Sequence, residues 1–398
     1  MTTPQLDPYE HAFHIDPYPR YREIREQDPV HYVKDHGFWL FTTWDDVRNA
    51  FRDFRTYSSA LMALEANAEE ELPFPAFINN DPPHHTEIRR LFSRLMTPEA
   101  LAPLEPFIRE RTRQLMAPHL QSGKMDLIAD MACYLPMDVI SIMTGIPPED
   151  RDKVRGWADD LILREDKQEG LSQRNIDGYM NLATYFDEFS KTRAANSAGE
   201  GLLAAVLEGE ASKTMTHAEV IGALILLAIA GNETTTKLVG NITFRLWERP
   251  EQRQLVIDNP GLIPDAVEET LRLDGSSQIL ARRVTKDVVV QGKTLHAGDK
   301  VGLCVISANR DKSRCPMGEN FDITKATTDH MAFGFGLHSC LGAALARLEA
   351  RIVMEEIIAN MPDYEIDTSK LVMAHNPNVR GYSRMPVTFT PRAVRTTA

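Results

Sequence analysis

The chain has 398 residues, 43% hydrophobic and 25% charged, with 57 acidic side chains against 44 basic and a formal net charge of -13. That composition is ample for a large folded core and excludes a disordered or collagen-like chain. The acidic balance argues against a nucleic-acid partner, because phosphate binding is driven by Lys and Arg.

No membrane anchor is expected. Met1 to Glu10 is polar, and the longest apolar run, Val220 to Ala230, is short of the ~20 residues that span a bilayer. No linker, repeat or low-complexity stretch divides the sequence, so one domain over 1–398 is expected. The four cysteines, Cys133, Cys304, Cys315 and Cys340, have neither zinc-site nor redox-pair spacing. Three of them read as buried thiols of a cytoplasmic protein; Cys340 stands apart.

In chain order, strand patterns cover Val30 to Val33 and Phe38 to Thr42, and helical patterns cover Thr86 to Met96, Pro98 to Leu120 and Asp126 to Met143. Helices are next expected at Gly178 to Ala195, Thr216 to Glu248 and Pro264 to Leu273. Strands follow at Val288 to Gln291 and Lys300 to Ser307, then a helix at Ala343 to Met361 and a strand at Val387 to Thr390. The fold class is mainly α with small β-sheets.

The pattern beginning at Thr216 is the clearest. Thr216-His217-Ala218-Glu219 forms a capping box, and Pro250 sets the far end. About 32 residues make a rod of roughly 48 Å, apolar all round in its first half and therefore buried. Ala230-Gly231-Asn232-Glu233-Thr234-Thr235 breaks that apolar rule mid-helix, which marks a functional site.

The run Phe333 to Gly342 is rich in glycine and places Cys340 just ahead of a helix. The helix end favours a thiolate by at most ~2 kcal/mol, so full ionisation needs a bound metal cation. A dinucleotide loop is the competing reading of Gly334-x-Gly336; Ser339 stands where its third Gly belongs, and no βαβ unit surrounds it.

Phe333, Gly336, Cys340 and Gly342 match the pattern Phe-x-x-Gly-x-x-x-Cys-x-Gly, and the segment resembles the cysteine-ligand loop of the cytochrome P-450 superfamily. Other landmarks follow in the family's order: Asp81 to Arg89, Ala230-Gly231-x-Glu233-Thr234, Glu269-Thr270-Leu271-Arg272 and Arg282. The resemblance implies a cytochrome P-450 fold with haem b between the long central helix and the helix after the cysteine. It implies that Cys340 is the iron's axial ligand and that His85, Arg89, Arg282 and His338 reach the haem propionates. Glu233 and Thr234 would be the acid–alcohol pair serving dioxygen, with the Thr234 hydroxyl on the Ala230 carbonyl and the helical ladder opened beside Gly231. Glu269 and Arg272 would be a buried structural pair. Lys325 stands where relatives often carry an Arg completing that network, so a looser network is expected.

The implied activity is insertion of one oxygen atom from O2 into a hydrophobic small molecule. Substrate contacts are expected from Ser59 to Asn79, in which Leu61, Met62, Leu72, Phe74, Phe77 and Ile78 are apolar, and from Leu226, Ala230 and Thr234. Gln278 to Leu280, including Ile279, and Val379 to Tyr382 complete the expected set. Electrons would come from a separate ferredoxin and ferredoxin reductase, with Arg90 and Arg94 as docking candidates. A peroxide-driven peroxygenase and a non-catalytic haem sensor are the alternatives; the Glu233-Thr234 pair favours dioxygen chemistry.

Overall fold

The computed structural model describes residues 6–60, 64, 73–195 and 201–391. Leu61, Met62 and Leu72 therefore lie outside the described residues. The architecture is helical with small sheets, as the residue patterns require.

The central helix runs His217–Glu248, and both halves of the capping box form: the Thr216 side chain accepts the Glu219 N–H, and Glu219 accepts the Thr216 N–H. Val220, Ala223, Leu224, Leu227, Leu238, Ile242 and Leu246 are all buried. The helix is long and apolar enough to cross a membrane by length and composition, which corrects the reading of that segment as too short, but 61% of its apolar window is buried in the protein. It is a core helix.

Proline explains where expected helices divide. The Pro98 to Leu120 pattern is broken into Pro98–Leu101 and Glu105–Leu120, because Pro103 and Pro106 lack the N–H that a continuous ladder needs. Asp126 to Met143 likewise becomes a short strand Lys124–Asp126, a π-turn Ile128–Ala132, and a helix Leu135–Thr144 with Pro136 in its first turn. Gln173–Ala195 starts five residues early, since Ser172 caps it by accepting the Asn175 N–H.

The largest sheet has the strand order Val30–Val33, Phe38–Phe41, Lys300–Cys304, Ile279–Val284, Tyr57–Ser58. Only the Phe38–Phe41 and Lys300–Cys304 pair is parallel. The strand expected to continue to Ser307 instead turns helical at Val305–Ala308.

Between Asn309 and Phe333 the chain has little regular structure, so its buried carbonyls need other donors. Arg272 supplies them. Its guanidinium makes a two-pronged bond to Glu269, at 2.7 and 2.8 Å, and donates to the carbonyls of Asn309, Gly318 and Asn320. Both side chains are buried, and Glu269 also accepts the Asp322 N–H. Lys325 takes no part: it is exposed and pairs with Asp322 at 3.3 Å. The expected loosening is therefore not found, because Glu269 takes the Asp322 N–H and backbone carbonyls accept from the guanidinium's remaining donors.

Removing one partner of a buried pair strands the other charge. Arg272→Ala should lower the unfolding free energy by about 3–5 kcal/mol. Urea unfolding followed by far-UV circular dichroism measures it, and a loss under 1 kcal/mol would show that the pair is replaceable.

Candidate active site

The loop before the cysteine turns on two glycines with positive φ, Gly334 at 68° and Gly336 at 75°. At Gly336 a side chain would also crowd the Phe51 carbonyl, since an added Cβ would lie 3.1 Å from that oxygen. The Cys340 N–H closes the loop on the Phe333 carbonyl at 2.7 Å. Gly342 then caps the helix Ala343–Asn360, the cysteine helix.

Cys340 faces a cavity enclosed between the cysteine helix and the central helix. Its sulfur is surface-exposed only because it borders that cavity; the surrounding protein is dense, and burial pushes its thiol pKa up. The Gly342 N–H, Arg89 and Arg347 act in the opposite direction and do not prevail. A net push toward the thiolate from the helix end is thus not realised, and ionisation requires a cation at the sulfur. Among the described residues, Cys340 is the only cysteine on the cavity wall.

At another part of the wall, donors converge without an anion. His85 and His338 stack with ring centroids 3.8 Å apart. Both ring nitrogens of His85 and Nε2 of His338 are buried without a partner. Burial, then Arg89, lowers the His85 pKa to about 4; burial, then His85, lowers that of His338 to about 3. Burial also brings Arg282 down to about 10 and lowers Arg89. Arg89 donates to the Ser339 carbonyl; Arg282 is set back from the cavity wall, lies over the Phe51 ring at 5.4 Å and donates to the Ala281 carbonyl at 2.7 Å.

A haem would supply what each region lacks: iron positive charge for Cys340, and two propionate carboxylates for the His85, Arg89, Arg282 and His338 group. The residues fit that cofactor.

On the facing wall, Ala230, Gly231 and Thr234 line the cavity, and the Thr234 hydroxyl donates to the Ala230 carbonyl at 2.7 Å. The helical assignment continues unbroken through Gly231, so the opened ladder expected there is not seen. Glu233 is not on the cavity wall. It pairs with Lys237 at 3.1 Å and hydrogen-bonds the Asp159 carboxyl, whose pKa burial and then Glu233 raise to about 7.

Phe333 and Gly342 line the cavity, as do Phe77, Ile78, Leu226 and Leu280. Ile279 does not: adjacent strand residues point to opposite faces, and Ile279 packs instead with Phe38, Leu40 and Cys304. Gln278 and Val379 to Tyr382 are also off the wall, where Ser276 and Ser277 stand instead. Phe74 is likewise away from it, packed near Tyr179.

Two features were missed from sequence. Glu268, not Glu269, ties the cysteine helix down: it takes a two-pronged bond from Arg347 and one from His330. Burial opposes that charge, but those two partners hold its pKa at about 2. Glu349, on the cavity side of the cysteine helix, is fully buried, and its Oε2 has no partner. Burial alone raises its pKa to about 8. An acidic residue at a helical core-facing position was the available signal.

A family model described as Cytochrome P450 matches residues 261–378. The Putative cytochrome P450 123 of Mycobacterium tuberculosis is 36% identical over 394 residues, 97% of each chain. The chain belongs to the cytochrome P450 family. The Vitamin D(3) 25-hydroxylase of Pseudonocardia autotrophica is 35% identical over 98% of each chain. The crystal structure of CYP109E1 from Bacillus megaterium in complex with testosterone superposes with a TM-score of 0.89 at 29% identity, covering 95% of this chain and 99% of that one. As a cytochrome P450 this protein is a monooxygenase with haem as cofactor, held in the family through a cysteine thiolate.

Glu349 gives the site a pH signature. The unfolded carboxyl ionises near 4.5 and the folded one near 8, so between these values the native state keeps a proton that the unfolded state releases. Stability falls as pH rises through that window, by roughly 5 kcal/mol in all. Glu349→Gln removes this component. Urea unfolding of the haem-loaded protein at pH 5 and pH 8 should show the variant gaining on the parent at the higher pH; a pH-independent difference would mean that Glu349 is ionised in the fold.

Proposed function

We propose that the protein hydroxylates an uncharged, hydrophobic small molecule with O2, using haem ligated by Cys340 and electrons from a separate ferredoxin and its reductase. The observation that carries this is a pair of features on one cavity: a thiol whose ionisation needs a cation, and beside Arg89 the stacked His85 and His338, whose buried ring nitrogens include three without a partner. When bound, thiolate-ligated haem activates dioxygen for insertion of one oxygen atom into a C–H bond.

The protein's residues bind, orient and supply protons. His85, Arg89, Arg282 and His338 hold the propionates by charge-assisted bonds. Thr234 holds a proton at Oγ1 at the cavity wall, parked on the Ala230 carbonyl, from which a rotation about χ1 delivers it inward. Glu233 replenishes that proton from the Asp159 side, where the neighbouring carboxyl holds one near neutral pH.

The substrate reading rests on Phe77, Ile78, Ile140, Leu226, Leu227 and Leu280, with the hydroxyls of Thr234 and Ser277 as polar points near them. Among the described residues the one arginine on the wall, Arg89, is assigned to the propionates. A neutral lipid-like molecule is also what two relatives handle, by their names: vitamin D(3) and testosterone. Arg90 is exposed and open to an acidic partner, whereas Arg94 is engaged with Glu208 at 2.9 Å. Free thiols at all four cysteines suit a cytoplasmic site of action.

Reduced protein exposed to carbon monoxide should show the red-shifted Soret band that gives the family its name, and Cys340→His should abolish it. Thr234→Ala should keep haem and substrate binding while diverting reducing equivalents to hydrogen peroxide. Product formed per NADPH measures this; an unchanged yield would remove the role given to Thr234.

A further inference from the structure

Thr234 is gripped by a residue of another element on the same wall. Ser276, in the loop after the helix Ile263–Asp274, donates its hydroxyl to the Thr234 carbonyl at 2.6 Å. A helix carbonyl ordinarily takes one N–H, from four residues on, and here a second donor occupies its other lone pair. Ser276 is buried, so little water competes for that lone pair.

The loop that presents Ser276 is itself fixed. Gly275 lets the chain turn back tightly over the helix end, since an added Cβ would lie 2.6 Å from the Leu271 carbonyl. The Ser276 carbonyl accepts the Arg380 N–H at 2.7 Å. Asn241 donates to the Asp274 carbonyl at 2.8 Å, giving the loop a second hold on the central helix. Asn241 lies seven residues beyond Thr234, two turns along the same helix face. Behind the loop, Asp274 is buried among Tyr18, Arg245 and Arg380.

Resting on the role given above to Thr234, we infer that Ser276 is a positioning residue for the reaction. Its hydroxyl pins the turn of the central helix that carries Thr234, so that the threonine hydroxyl is kept on the cavity wall. The threonine carbonyl keeps its helical N–H without Ser276, so loss of the serine hydroxyl loosens the turn without unfolding it.

Ser276→Ala should bind haem and give the parent's carbon monoxide spectrum, yet form about two- to fivefold less product per NADPH, with the balance as hydrogen peroxide. Hydrogen–deuterium exchange of the peptide spanning 231–238 should quicken by a similar factor. Ser276→Thr, which keeps the hydroxyl, should restore both. In a Thr234→Ala background Ser276→Ala should cost no further product, because the serine acts through the threonine. Parent-like yield and exchange in Ser276→Ala would overturn the inference, as would an additional loss in the double variant. If Thr234→Ala alone leaves the yield unchanged, the reading of Thr234 fails; the exchange comparison still decides whether Ser276 holds the helix.

Discussion

The arrangement depends on buried arginines that hold irregular backbone in place. A long stretch before the cysteine loop has no ladder to satisfy its carbonyls, and burying them unpaired would each cost on the order of 1–3 kcal/mol. Arg272 serves three such carbonyls while neutralised by Glu269. Arg310 does the same for Leu273, Arg380 for His14 and Ile15, and Arg89 for Ser339. A guanidinium suits this task because its planar fork presents five donors at fixed angles. The helices could form without it, but the cysteine loop could not be set against them.

That rigidity gives the cavity its electrical character. The wall is mostly apolar, so every polar group on it is felt strongly. Burial holds the two arginines below their ordinary pKa values, and burial together with the neighbouring arginines keeps His85 and His338 neutral. Such a grouping is unfavourable by itself. In the proposed role it would become favourable when two carboxylates enter, making the same residues both a fold-destabilising cluster and a cofactor clamp. The thiol follows the reverse logic, since the cation that ionises it must come with the cofactor.

Much of this was legible in the sequence, and the exceptions have physical causes. The central helix was read to within a residue because its capping box and terminal proline are local signals. Val30–Val33 was exact, and the family resemblance is what pointed to His85, Arg89, Arg282 and His338 as one group. The helix Arg151–Ile162 was overlooked because half its residues are charged and Gly156 interrupts the apolar stripe. Ile279–Val284 was overlooked because Arg282 and Arg283 spoil the alternation, and without that strand the inward-facing neighbour could not be chosen between Ile279 and Leu280. Glu268 and Glu269 are adjacent on one helix, yet one binds Arg347 and the other Arg272. Only the packed helix distinguishes them.

The Lys325 position shows why a motif read residue by residue can mislead about energetics. A missing arginine suggested an incomplete network, but the Asp322 N–H donates to Glu269 and main-chain carbonyls accept from Arg272. Satisfaction of a buried donor is a property of all the acceptors within reach, and main-chain acceptors are invisible to a motif. Ser276 is the same lesson in the functional direction. A serine in a loop carries no catalytic signature, and its partner is a backbone carbonyl rather than a side chain. The residues that aim a catalytic group therefore include ones whose chemistry is directed entirely at the main chain, and they are found by following hydrogen bonds outward from the reacting group.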